Sequence, residues 1–102
     1  MRAIVIALAA VAVLFGRTEA AEHRVTIEGG VFSPLEVSVS RGDEVVFVNA
    51  DGCTHTVTAT DGSFATGWIE AGATARILVP AFETVDFVSD RYPSMRGRIE
   101  TD

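Results

Sequence analysis

Beyond residue 20 the chain alternates between polar and apolar positions in short runs. Arg24-Val25-Thr26-Ile27-Glu28 alternates in this way and is ended by Gly29-Gly30. Leu35 to Ser40 alternates strictly, which is the period-two signature of a strand with one buried face. Arg41-Gly42-Asp43 is a turn, and Glu44 to Asn49 is a second strand, more fully apolar and therefore more central. His55 to Thr60 is rich in β-branched residues and ends at Asp61-Gly62, a hairpin-type turn signal. Thr74 to Val79 is stopped by Pro80, Thr84 to Val88 follows, and Arg98 to Thr101 closes the chain. Phe32 and Pro34 mark an irregular crossing between the first two runs. Between residues 64 and 68 the pattern allows a single helical turn, and no longer helical period occurs after residue 20. About seven strands at short spacing predict an all-β sandwich or barrel.

The first 20 residues follow a different pattern. Met1-Arg2 precedes an unbroken apolar run from Ala3 to Phe15, and Gly16-Arg17-Thr18-Glu19-Ala20 ends it with small residues. A membrane-spanning helix needs about 20 apolar residues, so this run is too short to span. Arg2, the apolar core and the small exit together predict a signal peptide at 1–20, cleaved after Ala20 to release a domain at 21–102. The alternative is an anchor that stays attached, but no stop-transfer segment follows. The expected location is the periplasm or the secreted space, with no membrane contact after cleavage.

Charge narrows the partners. The chain carries 8 basic and 14 acidic residues, net −6, and removal of Arg2, Arg17 and Glu19 makes the balance more acidic still. A nucleic-acid binder needs a basic footprint, so nucleic acid is excluded as a partner, as is docking on anionic lipid. Cys53 is the single cysteine, so no internal disulfide can hold the domain. The thiol is then buried, metal-bound or bridged to a second molecule; a monomer is expected, with a Cys53-linked dimer as the alternative. No nucleophile elbow, phosphate loop or HExxH occurs, and the chain is not expected to be an enzyme.

Candidate chemistry gathers in two segments: Asn49 to Val57, where a strand ends and His55 begins the next, and Asp86 to Gly97, between the last two strands. With Phe32-Ser33-Pro34, the turn Gly42-Asp43-Glu44-Val45, the segment Val46 to Asn49 followed by His55-Thr56-Val57, and Tyr92-Pro93-Ser94-Met95-Arg96-Gly97, the chain resembles the cupredoxins, the small blue copper proteins, and most closely their amicyanin and plastocyanin branch. The resemblance covers nearly all of the chain after residue 20. It implies a Greek-key β-sandwich, copper and electron transfer.

Carried over residue by residue, His55 matches the family's first histidine ligand and Met95 its axial methionine. Ser89 stands where the cysteine ligand belongs, and Tyr92 where the second histidine belongs. A His₂Cys set with a weak axial Met makes the blue centre, and a serine hydroxyl does not replace a soft thiolate. An ordinary type 1 centre is therefore not expected.

Three readings remain. The first is a non-blue binding or interaction module serving an exported redox or copper-handling protein. The second is copper handling. Cys53 and His55, two residues apart, face one side of an extended segment, and with Met95 they form a set soft enough for Cu(I); an electron carrier with an altered metal site belongs to the same class. A separate Cu(II) site is conceivable at a processed terminus, from the Ala21 amine, the Glu22 and His23 amides and the His23 imidazole. The bland alternatives are a Cys53 that fills the apolar end, a His55 bonded to a neighbour, and a His23 that simply enters the first strand. The third reading is a harder set of His55, Asp90 and Tyr92, suited to iron or zinc. Trp68 is expected to pack in the core or at its rim. Arg91, Arg96 and Arg98 either steer an acidic partner or pair with nearby carboxylates.

Overall fold

The computed structural model describes residues 21–79 and 84–102, so the proposed signal segment and Pro80 lie outside the described residues. Among the described residues there are eight strands: β1 (Glu22–Glu28), β2 (Val31–Ser33), β3 (Glu36–Val39), β4 (Glu44–Asn49), β5 (Thr58–Ala59), β6 (Thr74–Leu78), β7 (Thr84–Val88) and β8 (Arg96–Thr101). They form two four-stranded sheets, ordered β2-β1-β4-β6 and β3-β8-β7-β5. Two pairings are parallel. β1 lies beside β4 from Glu22 opposite Glu44 to Ile27 opposite Asn49, and β3 lies beside β8 from Glu36 opposite Arg98 to Val39 opposite Thr101. The remaining pairs are antiparallel.

Alternation places the core. Val25 and Ile27 of β1, Val45 and Phe47 of β4, Val85 and Phe87 of β7 and Ile99 of β8 are all fully buried or nearly so and meet between the sheets. Phe87 is the hub. Phe32 and Phe47 approach it edge-to-face, with ring centroids 4.9 and 5.3 Å away. The position opposite Phe87 on β8 is Gly97, where a Cβ would overlap the Phe87 ring. Glycine is required there by close approach rather than by backbone freedom. A phenylalanine buried in this way contributes about 3–5 kcal/mol relative to alanine. As its apolar pattern predicts, β4 is interior to its sheet. Val46, on its outer face, is also buried, flanked in register by Arg24 and Arg76; the stems of long cationic side chains cover apolar surface in such positions.

Three local expectations are corrected. The irregular crossing at Phe32 is the short strand β2, because Val31–Ser33 pairs back on β1 through the two-glycine turn. The run from His55 to Thr60 is not one strand: only Thr58–Ala59 joins the second sheet, while His55 makes an isolated bridge to Ile69. No helical turn forms between residues 64 and 68. Thr66 N–H donates to the Val57 carbonyl, and Ala65 bridges Thr58, so the segment folds back along residues 55–59. Trp68 is 67% exposed and is not core.

Candidate metal centre

The loop after β4 is built by one side chain. Asn49 ends β4 pointing inward and is fully buried. Its amide nitrogen donates to the carbonyls of Cys53 (2.9 Å) and Ile69 (2.8 Å), and its amide oxygen accepts the Asp51 N–H (3.0 Å). A buried amide with these bonds made is a rigid staple, since leaving such groups unpaired would cost about 1–3 kcal/mol each. The backbone of His55 is held on both sides by Ile69, through bonds of 3.0 and 2.7 Å. These contacts curl residues 50–54 so that three donors converge.

The His55 side chain is 1% exposed. Its Nε2 lies 2.7 Å from Asp51 Oδ2 and 3.6 Å from Cys53 Sγ. One donor atom from each of Asp51, Cys53 and His55 falls within 4.8 Å of the others, a grouping that could hold a metal ion. Asp51 is fixed independently, its Oδ1 accepting the Gly29 N–H at 2.8 Å. That bond first, and the His55 contact second, hold the Asp51 carboxyl below its ordinary value. An ionised carboxylate only accepts, so Nε2 carries the proton in the Asp51 contact. In the neutral ring Nδ1 is then a bare lone pair. It is buried and has no hydrogen-bond partner among the described residues. A carboxylate bonded to one ring nitrogen, with the other left open, is the arrangement that orients a metal-binding histidine.

The late loop is arranged differently. Ser89 is fully buried, and its Oγ accepts the Tyr92 N–H at 3.3 Å. Ser89 N–H donates to the Met95 carbonyl (3.2 Å) and Met95 N–H to the Tyr92 carbonyl (2.8 Å). The loop thus closes on its own hydrogen bonds. Met95 is 5% exposed, Tyr92 is 44% exposed, and the Tyr92 ring centroid is 5.7 Å from that of His55. The two loops are joined through Thr56, whose hydroxyl accepts the Asp90 N–H at 2.9 Å. Asp90 is spent on Thr58, whose hydroxyl donates to its Oδ2 at 3.0 Å.

An open cleft of about 510 Å³ is lined by Asp51, Cys53, His55, Tyr92 and Met95. The structure therefore brings Cys53, His55 and Met95 to one cleft and adds Asp51, which the sequence reading passed over. Its signal was an acidic residue four positions before the histidine, in the loop that Asn49 folds. A second cleft of about 450 Å³ adjoins it, lined by residues including Val31, Leu35, Met95 and Arg96. Arg98 pairs with Asp86 at 2.8 Å, and the Arg91 guanidinium stands 5.8 Å from the centre of the Tyr92 ring.

The other candidate set lies at the opposite end of β4. His23 Nε2 contacts Asp43 Oδ2 at 2.9 Å, the Ala21 N–H donates to Asp43 Oδ1 at 3.0 Å, and Glu22 is in register with Glu44. A Cu(II) ion wrapped by Ala21, Glu22 and His23 would have to displace those contacts. The Ser40 amide, with His23 and Ala21 behind it, lowers the Asp43 carboxyl to about 2.

The donor set does not fit a type 1 copper centre: among the described residues Cys53 is the single thiol and His55 the single imidazole at this end, while Ser89 and Tyr92, which the sequence resemblance matches to the thiolate and the second imidazole, offer a hydroxyl bonded within its own loop and a half-exposed phenol. It does fit a softer, lower-symmetry site: a thiol, a carboxylate and an oriented imidazole share the cleft with a thioether.

No family model matches the sequence, and no curated protein matches it. Solved structures do. A purple cupredoxin from Nitrosopumilus maritimus shares 16% identity, covering 78% of this chain and 99% of that one, with a TM-score of 0.72. The amicyanin of Paracoccus versutus shares 22% identity over 83% of each chain, with a TM-score of 0.70. A copper-containing nitrite reductase from Thermus scotoductus shares 23% identity and superimposes on 82% of this chain with a TM-score of 0.75, although the match spans only 23% of that enzyme. The fold is thus the cupredoxin β-sandwich, as the sequence resemblance implied.

Proposed function

We propose that this chain is an exported, non-blue copper-handling protein on a cupredoxin scaffold, released by cleavage after Ala20, that takes up copper at the cleft formed by Cys53, His55 and Met95. The observation that carries the reading is the cleft that Cys53, His55 and Met95 line together, with Asp51 bonded to His55 Nε2 and the Nδ1 lone pair left without a partner among the described residues. Thiolate and thioether sulfur favour Cu(I), and Asp51 orients the imidazole. Bound copper would supply soft-ion chemistry at an open site; the chain's own part is to fix the ring, to present the thiol and to keep one side of the site dry. Cys53 is only half-buried, so the ion would remain open to exchange with a partner. The partner expected is another exported redox or copper-handling protein, and no catalytic role is assigned to this chain.

Adding Cu(I) and Cu(II) separately to the purified 21–102 chain tests this, with stoichiometry and visible spectrum as readouts. Tight, colourless, one-to-one Cu(I) binding that Cys53→Ala weakens by roughly 100-fold or more is the expected result, given the preference of Cu(I) for thiolate. An intense blue band in the unmodified protein would defeat the non-blue reading. Absence of binding would defeat copper handling and leave a second reading, an interaction module. The self-closed late loop favours that alternative, as do the exposed Val31, Leu35 and Tyr92 beside the two clefts.

A further inference from the structure

The end of β4 farthest from the metal cleft holds a second built site that copper handling does not use. Asp43 precedes β4 and is 8% exposed. Its carboxylate is ringed by donors: the Ala21 N–H on Oδ1 at 3.0 Å, and the Ser40 N–H and His23 Nε2 on Oδ2, each at 2.9 Å. The frame around it is equally fixed. Glu44 N–H donates to the Ala21 carbonyl at 2.9 Å, and Val79 N–H donates to the Asp43 carbonyl at 2.8 Å. A nearly buried carboxylate is best matched by a cation in contact with it. In a chain that continues through Ala20, residue 21 offers only a neutral amide.

Cleavage changes that balance. Hydrolysis adds one water across the Ala20–Ala21 bond, leaving a carboxylate on the departing segment and an α-ammonium on Ala21. The nitrogen that gains the charge is the one already 3.0 Å from Asp43 Oδ1. We propose that Asp43 is a socket for the mature N-terminus, converting removal of residues 1–20 into an ion pair that locks β1 against β4. A charge-assisted bond is stronger than the neutral one it replaces. Its consequence is directional: the processed chain gains stability that the precursor lacks, at the strand whose pairing joins the N-terminus to the centre of its sheet. This inference rests on the processing proposed above and not on copper.

The test compares the 21–102 chain with a free α-amine and with an acetylated one, each carrying Asp43 or Asp43→Asn. Acetylation keeps the amide N–H seen in the structure and removes only the charge. At about pH 6, where an α-amine of ordinary pKa is protonated, the free-amine form should melt higher than the acetylated form by roughly 2–6 °C. That difference should vanish in Asp43→Asn. Equal melting of the two forms with Asp43 present, or a gap of the same size in Asp43→Asn, overturns the socket. Should Asp43→Asn fail to fold, the free-amine chain is compared with one bearing a single alanine before Ala21, and equal melting again overturns it. The intact mass of the exported protein is a separate arm: a start other than Ala21 overturns the processing, whatever the melting experiments show.

Discussion

Two loops meet at one end of the sandwich, and they have solved the same problem in opposite ways. The loop after β4 keeps open-ended chemistry: an ionised Asp51, a thiol, and an imidazole with one buried nitrogen unpartnered among the described residues. The loop before β8 has closed on itself, with the Ser89 hydroxyl taking the Tyr92 amide and the Met95 and Tyr92 backbones bonded in a ring of neutral contacts. One loop is therefore held in a state that an ion can complete, and the other needs none. The contrast teaches that a loop on this scaffold keeps its shape without a metal when a hydroxyl, here that of Ser89, takes up a backbone donor.

The largest effect should come from giving the late loop the ligands that the sequence resemblance implies. Ser89→Cys combined with Tyr92→His supplies a thiolate and a second imidazole in the loop that also carries the buried Met95, with residue 92 already facing the His55 ring across 5.7 Å. On adding Cu(II), an intense visible charge-transfer band absent from the parent should develop; its failure to appear would mean that hydrogen bonding has moved the loop out of ligand geometry. The early loop is probed next. Asp51→Asn removes the carboxylate that orients His55 and should weaken copper binding roughly 10- to 100-fold, as loss of such outer partners does elsewhere; competition with a chelator measures it, and an unchanged affinity would show that Asp51 is merely structural.

The smallest effect is acid sensitivity, and it should separate the loops. The Asp51 carboxyl is lowered in the fold, chiefly by the Gly29 amide. A lowered carboxyl stabilises the native state above its unfolded value and loses that contribution as pH falls through the folded value. Below about pH 4, the protection of amides in residues 51–55 against exchange should therefore fall before that of residues 92–95, whose hydrogen bonds to Ser89 and Tyr92 involve no carboxylate. Simultaneous loosening of both loops would erase the distinction.

Much of this was legible in the sequence, for identifiable reasons. The strict alternation in residues 35–40 and the apolar run at 44–49 placed β3 and β4, because one buried face leaves a period of two and an interior strand leaves almost none. His55 and Met95 were singled out because the segments that hold them, Val46–Asn49 followed by His55 and Tyr92–Gly97, resemble the ligand segments of the cupredoxins. Asp51 was not found, because an acidic residue in a polar loop carries no period and its role depends on the curl imposed by Asn49. Asp43 was read only as part of a turn, since its meaning comes from the parallel pairing of β1 with β4, which brings Ala21 to it from 22 positions away. Trp68 misled in the other direction: a large aromatic suggests a core, but its segment folds back along residues 55–59 and leaves the ring exposed.

The parallel seating of β8 beside β3 has a consequence in time. β8 lies inside its sheet, between β3 and β7, and among the described strands it is synthesised after the other seven. Until those residues emerge, the second sheet is split, the ring of Phe87 lacks the glycine surface it rests on, and no compact intermediate can bury the apolar faces completely. Contacts this distant in sequence form slowly. Such a polypeptide stays pliable until its central strand arrives, and its two sheets close as one event rather than in turn.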